Sequence, residues 1–160
     1  MSQQYHDVQF SKSLSLPTAA VLRKFERQLA ATLPDDYRAF FQKVNGGIPT
    51  PSEFALADPG YPGGRACIDV FYGIGSAPGR LDLAYEQLKI IERTDELPDG
   101  FLVIGHDPGG APYFVCTEGE TAGMIYFYDP SGFLAPGELP RLYVAARSFT
   151  DLFHRLAAGS

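Results

Sequence analysis

Apolar positions between Pro17 and Gly47 recur at helical spacing, in two blocks. In the first, TAAVLRKFERQLAATL, Val21, Leu22, Phe25 and Leu29 fall on one face, with Arg23, Lys24, Glu26 and Arg27 on the other. This predicts an amphipathic helix that opens after Pro17-Thr18 and ends near Leu33, because the residue before Pro34 is pushed out of the helical region. In the second, LPDDYRAFFQKVNGG, Tyr37, Phe40, Phe41 and Val44 stand at i, i+3, i+4 and i+7, again one apolar stripe. Pro34 suits a first helical turn, where a missing N–H costs nothing, and Asp35 and Asp36 favour the positive end of the helix dipole. Asn45, Gly46 and Gly47 supply the positive-φ residues that close a helix. A phosphate-binding glycine loop precedes its helix; these glycines follow theirs, so their polarity argues against a phosphate cradle.

The pattern then changes. Residues 47–66, GIPTPSEFALADPGYPGGRA, read as a long Pro/Gly loop with a short strand near Phe54, and CIDVFY (67–72) has strand composition. Asp82 is placed to cap a helix from Leu83 to about Arg93, with Ala84, Leu88 and Ile91 inward, and Leu97-Pro98-Asp99-Gly100 is a turn. FLVIGH (101–106) is almost continuously apolar, hence a central strand. A turn at Asp107-Pro108-Gly109-Gly110, a return strand APYFVCT (111–117), a polar turn from Glu118 to Gly123 and a third strand MIYFYD (124–129) make an antiparallel meander. Leu142 to Ala145 adds a further strand. At the end, Ser148 and Asp151 have capping-box spacing, and Phe149, Leu152, Phe153 and Leu156 mark a last helix that Gly159 can end. Residues 1–16 carry little period and are expected to form a loose extension; residues 17–160 are expected to form one α+β domain. Its expected architecture is an antiparallel sheet of about five or six strands with helices from both chain ends packed on it.

Composition narrows the function more than the fold. A chain of 160 residues can bury its core without disulfides or metals. A formal net charge of -6 disfavours nucleic-acid binding, which draws on Lys and Arg. It fits simple solubility, or a basic protein partner reached by electrostatic steering. Cys67 and Cys116 are far apart and form no CxxC, so neither a zinc site nor a disulfide framework is expected, and the default is a pair of buried thiols. The start, MSQQYHDVQF, lacks the basic-then-apolar pattern of a signal peptide, and no apolar run has membrane-spanning length; the protein is expected in the cytoplasm, with no membrane contact.

The order of these signals resembles the SUKH superfamily, which includes the SMI/KNR cell-wall assembly regulators. Leu33, Pro34, Tyr37, Phe40, Phe41, Asn45, Gly46 and Gly47 match its hallmark helix. Phe71-Tyr72-Gly73-Ile74 resembles its strand ending in an aromatic and Gly. Leu97-Pro98 followed by Val103 to Gly110 resembles its hairpin, through Gly105, Asp107, Gly109 and Gly110. Gly123 to Asp129 and Ser148 to Phe153 resemble its next strand and closing helix. The resemblance spans residues 18–157, and its main departure is the long loop DPGYPGGRA, Asp58–Ala66. It implies binding rather than catalysis. Many bacterial members look like immunity proteins that neutralise a cognate toxin, often a nuclease or deaminase; others act as scaffolds or interaction modules.

Residue by residue, the chemistry offers little against that. His106-Asp107 with Cys116 could suggest a Cys–His hydrolase, but Asp107 opens a DPGG turn, where its side chain ordinarily bonds the local backbone. His6 and His154 are scattered, His154 on the solvent side of the last helix, and three lone histidines make no metal site. Asp35-Asp36 could suggest acid/base work, but adjacent helix residues diverge and acids at a helix start have a structural role. No catalytic, cofactor or metal residue is therefore expected. Contact with a basic protein is expected at acidic or aromatic loop and edge positions: Asp58, Tyr61 and Arg65 in the extra loop, Asp69 and Tyr72 beside a strand, Asp82 at a helix start, and Glu118 and Glu120 at a hairpin tip. The oligomeric state stays open, since an antiparallel edge strand can pair between chains.

Overall fold

The computed structural model describes residues 3–29, 31–61, 64–75, 100–129 and 141–159. The expected helix from Leu83 to Arg93, its cap Asp82, and Leu97-Pro98-Asp99 lie outside the described residues. In chain order the elements are β1 (Gln3–Tyr5), β2 (Val8–Ser11), α1 (Ala19–Leu29), α2 (Asp35–Phe40), β3 (Ile48–Thr50), β4 (Glu53–Ala55), β5 (Arg65–Cys67), β6 (Val70–Phe71), β7 (Phe101–His106), β8 (Pro112–Cys116), β9 (Ile125–Asp129), β10 (Arg141–Ala146) and α3 (Phe149–Ala158). The fold is α+β. Among the described residues all strand pairs are antiparallel, in sheets ordered β1-β2-β3, β10-β9-β8-β7-β6 and β4-β5.

The meander forms as its turns and apolar runs require. Asp107 Oδ1 accepts from the Gly109 N–H at 2.9 Å and the Ala111 N–H at 2.7 Å, which folds the chain from β7 into β8. Register puts Tyr113, Phe127 and Tyr143 in one row across β8, β9 and β10. Gly105 lies so close to the Val70 carbonyl oxygen that a Cβ could not fit, so β6 can pair there only with glycine.

Three expectations need correction. Residues 3–11 are not loose: Val8 and Phe10 are buried, β1 and β2 form a hairpin, and β2 pairs with β3. The run CIDVFY is not one strand. It divides into β5 and β6, which belong to different sheets, because the Ile68 N–H turns aside to the Ser52 carbonyl at 2.9 Å. Val21 is not on the buried face of α1; Leu22 and Phe25 are, while Val21 is 41% exposed.

The helices sit where their apolar stripes lead. Tyr37, Phe40, Phe71, Phe149 and Phe153 pack into one aromatic core, with Tyr37–Phe149 ring centroids 4.6 Å apart and Phe40–Phe153 at 5.4 Å. Fully burying such a ring stabilises the fold by roughly 1.5–3 kcal/mol. Two acids join the helices: Glu26 Oε2 takes the Leu33 N–H at 3.0 Å and Arg38 at 2.8 Å, and Asp36 Oδ2 takes the Thr150 N–H at 3.0 Å in the first turn of α3. Within α3, Ser148 Oγ accepts the Asp151 N–H at 2.9 Å. Asp151 returns a bond to the Arg147 N–H at 3.0 Å, one residue before the position a capping box would use.

Candidate protein-docking surface

The family-motif residues build a staple, and the staple positions the sheet. Leu33, Tyr37, Phe40 and Phe41 are buried core. Pro34 stands at the cap of α2 with φ -53, one residue earlier than the first turn. Gly46 and Gly47 have φ of 68 and 122, as expected, yet they do not close the helix: α2 ends at Phe40, and its cap, Phe41, is an ordinary right-handed residue. They let backbones cross instead. A Cβ on Gly46 would stand 2.6 Å from the Gly73 nitrogen, and one on Gly47 would stand 2.6 Å from the Ser11 oxygen. Through this crossing, Gly47 and Phe71 exchange backbone bonds at 2.9 Å each way, which joins the β1-β2-β3 sheet to β6.

Asn45 locks the crossing. It is fully buried, and its amide donates to the Ser15 carbonyl at 2.7 Å and the Ile74 carbonyl at 2.8 Å, while its oxygen accepts the Ile74 N–H at 2.8 Å. Its backbone N–H goes to Gln3 Oε1 at 2.8 Å, and its carbonyl takes the Leu14 N–H at 3.0 Å. Asn45 is therefore a buried clamp across three chain segments rather than a helix cap.

The rival Cys–His reading fails on distance. Cys116 pairs with Phe101 at one end of the β7–β8 hairpin, while His106 pairs with Pro112 at the other. The five steps along β7 from Phe101 to His106 separate those ends by about 17 Å at roughly 3.4 Å per residue. Cys116 Sγ is buried against the Glu118 carbonyl at 3.1 Å, and His106 Nδ1 faces the Tyr72 hydroxyl at 2.5 Å. Among the described residues no three His, Cys, Asp or Glu side chains gather to hold a metal.

The contact candidates divide between the two ends of the five-stranded sheet. Asp58 and Tyr61 lie in a loop tied to the edge strand: the Ala57 and Asp58 N–H groups donate to Ala145 and Val144 of β10 at 3.0 and 2.9 Å. That pairing covers the edge of β10 along Val144 and Ala145. Asp58 Oδ1 takes the Gly60 N–H at 2.8 Å and shapes the turn. The half-buried Tyr61 ring then packs edge-on against Tyr143 (5.0 Å) and Phe127 (5.9 Å). Partial burial, then the nearby Asp129 and Asp107 carboxylates and Tyr143, push the Tyr61 hydroxyl pKa up. Tyr113, in the same row, is pushed up by burial and then by Asp107.

Asp69 is exposed at this same end, its N–H on the His106 carbonyl at 2.9 Å. Tyr72 is a correction: its ring is buried and its hydroxyl is taken by His106, so it stiffens this end from beneath and offers no ring to a partner. Arg65 lies elsewhere, exposed at the C-terminus of α3 with a guanidinium N–H on the Gly159 carbonyl at 3.1 Å. Glu118 and Glu120 are exposed at the opposite end of the sheet, and Asp82 is outside the described residues. The seven described positions are thus not one patch.

What the structure assembles is an acidic, aromatic end of the sheet: Asp107 and Asp129 near Tyr61, with Asp69 beside His106 at the same end. Asp129 and Tyr143 were not anticipated. Strand counting finds Asp129, since β7 and β9 run the same way in the meander and so finish at the same end, on His106-Asp107 and Asp129.

The SMI1 / KNR4 family (SUKH-1) model matches residues 16–155, nearly the whole span over which the hallmark residues lie. No curated protein matches the chain. No helix among the described residues is long and apolar enough to cross a membrane. With a family match of that extent, and with its hallmark helix, crossing glycines and closing helix all in place, the chain belongs to the SMI1 / KNR4 (SUKH-1) family.

Proposed function

We propose that this chain is an immunity-type protein: it binds a cognate toxin, of nuclease or deaminase type, in the cytoplasm and covers the toxin's active site, with no chemistry of its own. Family membership supports a binding role. The observation that carries the reading is the acidic, aromatic end of the sheet, where Tyr61 is held by ring contacts beside Asp107 and Asp129. A fixed Tyr ring beside two carboxylates suits a basic partner, because the ring loses little conformational freedom on binding and the acids steer and orient the approach. The net charge of -6 acts in the same direction.

The test is capture from the native cell lysate with tagged protein, bound chains being identified by mass spectrometry. The reading expects a basic, multi-domain toxin held at 1:1 through its C-terminal domain, and roughly tenfold weaker binding by the exposed Asp69→Lys variant. Recovery of only endogenous housekeeping partners would overturn it in favour of a scaffold of the same fold.

A further inference from the structure

The basic residues are not spread evenly. Residues 12–43 hold six Lys or Arg against three acids, a net of +3, in a chain of net charge -6, so the remainder carries -9. Much of this excess lies on α1. At about 100° per residue, Arg23, Lys24 and Arg27 share one wedge of the helix with Ala20, opposite the buried Leu22 and Phe25. Glu26, the acid of this helix, turns the other way, to Arg38 and Leu33. Among the described residues Arg23, Lys24 and Arg27 are exposed and make no ion pair.

A second feature coincides with the first. The large apolar side chains that stand exposed among the described residues are Leu16, 47%, and Val21, 41%. Both belong to the opening of α1: Leu16 precedes the cap Thr18, whose Oγ1 takes the Val21 N–H at 3.2 Å. Val21 and Lys24, three apart, are surface neighbours on the helix. A solvated face needs charge; it does not need its charges all of one sign, opposite to the protein's own, beside two exposed apolar groups.

We infer that the outward face of α1, with Leu16, Val21, Arg23, Lys24 and Arg27, is a second docking surface, and that it takes an acidic polypeptide segment bearing an apolar side chain. Charge complementarity gives the acidity of the segment and the two exposed apolar groups give its apolar residue. The rest of the molecule restricts its size. The net -9 of the rest of the chain repels a large polyanion such as a duplex or an anionic membrane, whereas a short segment on α1 needs to meet only the basic wedge. This surface is independent of the Tyr61 end and does not rest on the toxin-binding reading.

The test presents a random-peptide library on phage to the intact chain. Enriched peptides are then measured by fluorescence anisotropy, beside duplex DNA and phosphatidylserine–phosphatidylcholine vesicles. The inference expects enrichment of Asp or Glu with Leu or Phe, and binding weakened roughly tenfold or more by R23E/R27E and by K24E. It also expects weakening by salt, as the screening length falls from about 10 Å at 0.1 M to about 3 Å at 1 M. The substituted side chains are exposed, and circular dichroism is the check that the variants fold. No acidic enrichment, equal binding by the charge-reversed variants, or tighter binding of DNA or vesicles than of the enriched peptides would overturn it.

Discussion

Asn45→Ala removes the clamp at the crossing of three chain segments. The side chain makes three hydrogen bonds from a fully buried position, two as donor and one as acceptor. A net hydrogen bond is worth about 1 kcal/mol, and a buried group left without a partner costs about 1–3 kcal/mol. Ser15 is exposed, so its carbonyl recovers a water; the N–H and carbonyl of Ile74 are half-buried and recover less. The loss is about 3 kcal/mol, or about 6–12 °C in Tm at roughly 2–4 °C per kcal/mol for a chain of this size. Urea denaturation measures it, and native-state hydrogen exchange localises it, with the Ile74 amide accelerating most. Asn45→Asp sharpens the test. It keeps the acceptor for the Ile74 N–H, but sets its second oxygen against two carbonyl oxygens and buries a charge. It should be at least as destabilised as Asn45→Ala at pH 7, and should recover in part when protonated, because the acid can then donate. A loss under about 1 kcal/mol for Asn45→Ala, or an Asp variant more stable than the Ala variant at pH 7, would refute the clamp.

Other outcomes follow from the same core. The Tyr37 hydroxyl is buried without a hydrogen-bond partner among the described residues, and burial holds its pKa well above the usual value, so Tyr37→Phe should raise stability by about 1 kcal/mol in denaturant titration. Gly46→Ala adds a left-handed penalty of about 1–2 kcal/mol to a clash with the Gly73 backbone and should cost about 3 kcal/mol or more, read from the same titration. Partial burial pushes the Asp151 carboxyl up, but the Arg147 N–H and the Arg155 guanidinium outweigh it and hold it below the usual carboxylate value. Its stabilisation is therefore present above the ordinary pKa of about 3.9 and is lost as pH falls through the lower folded value; Asp151→Asn should lower Tm at pH 7 and have progressively less effect toward pH 2.

The parts of the fold that sequence reveals are those whose apolar runs are bounded by their own turn chemistry. FLVIGH is a strand over its whole length, because DPGG ends it and the following run must return. SFTDLFHRLAAG is a helix with its cap, because the cap is a local bond between Ser148 and Asp151. The exposed side chain of His154 follows from the same helical period. What sequence conceals is pairing that depends on distant segments. QQYHDVQF is a hairpin, but its turn residues, His6 and Asp7, are neither Asn nor Gly although both have positive φ, and its buried positions amount to alternate residues of a short strand. CIDVFY reads as continuous because β-propensity carries no information on which sheet each half joins.

The candidate surface was legible in part for the same reason. The loop of Asp58 and Tyr61 stands out as Pro/Gly-rich, but its fastening to β10 and its nearness to Asp129 are set by the meander, not by the loop. Asn45 illustrates the converse. Asn-Gly-Gly after a helix reads as a stop signal, and only the positions of Ser15 and Ile74, some thirty residues away on either side, turn the same residues into a clamp.

The central claim, neutralisation by docking at the acidic end, is tested most directly by survival. Cells producing the captured toxin's C-terminal domain are supplied with the intact chain, with Asp69→Lys combined with Tyr61→Ser, or with R23E/R27E. Growth is expected with the intact chain and with R23E/R27E, and death with the Asp69/Tyr61 variant despite its folding. Death with every version, or survival that the Asp69/Tyr61 changes leave untouched, would contradict it.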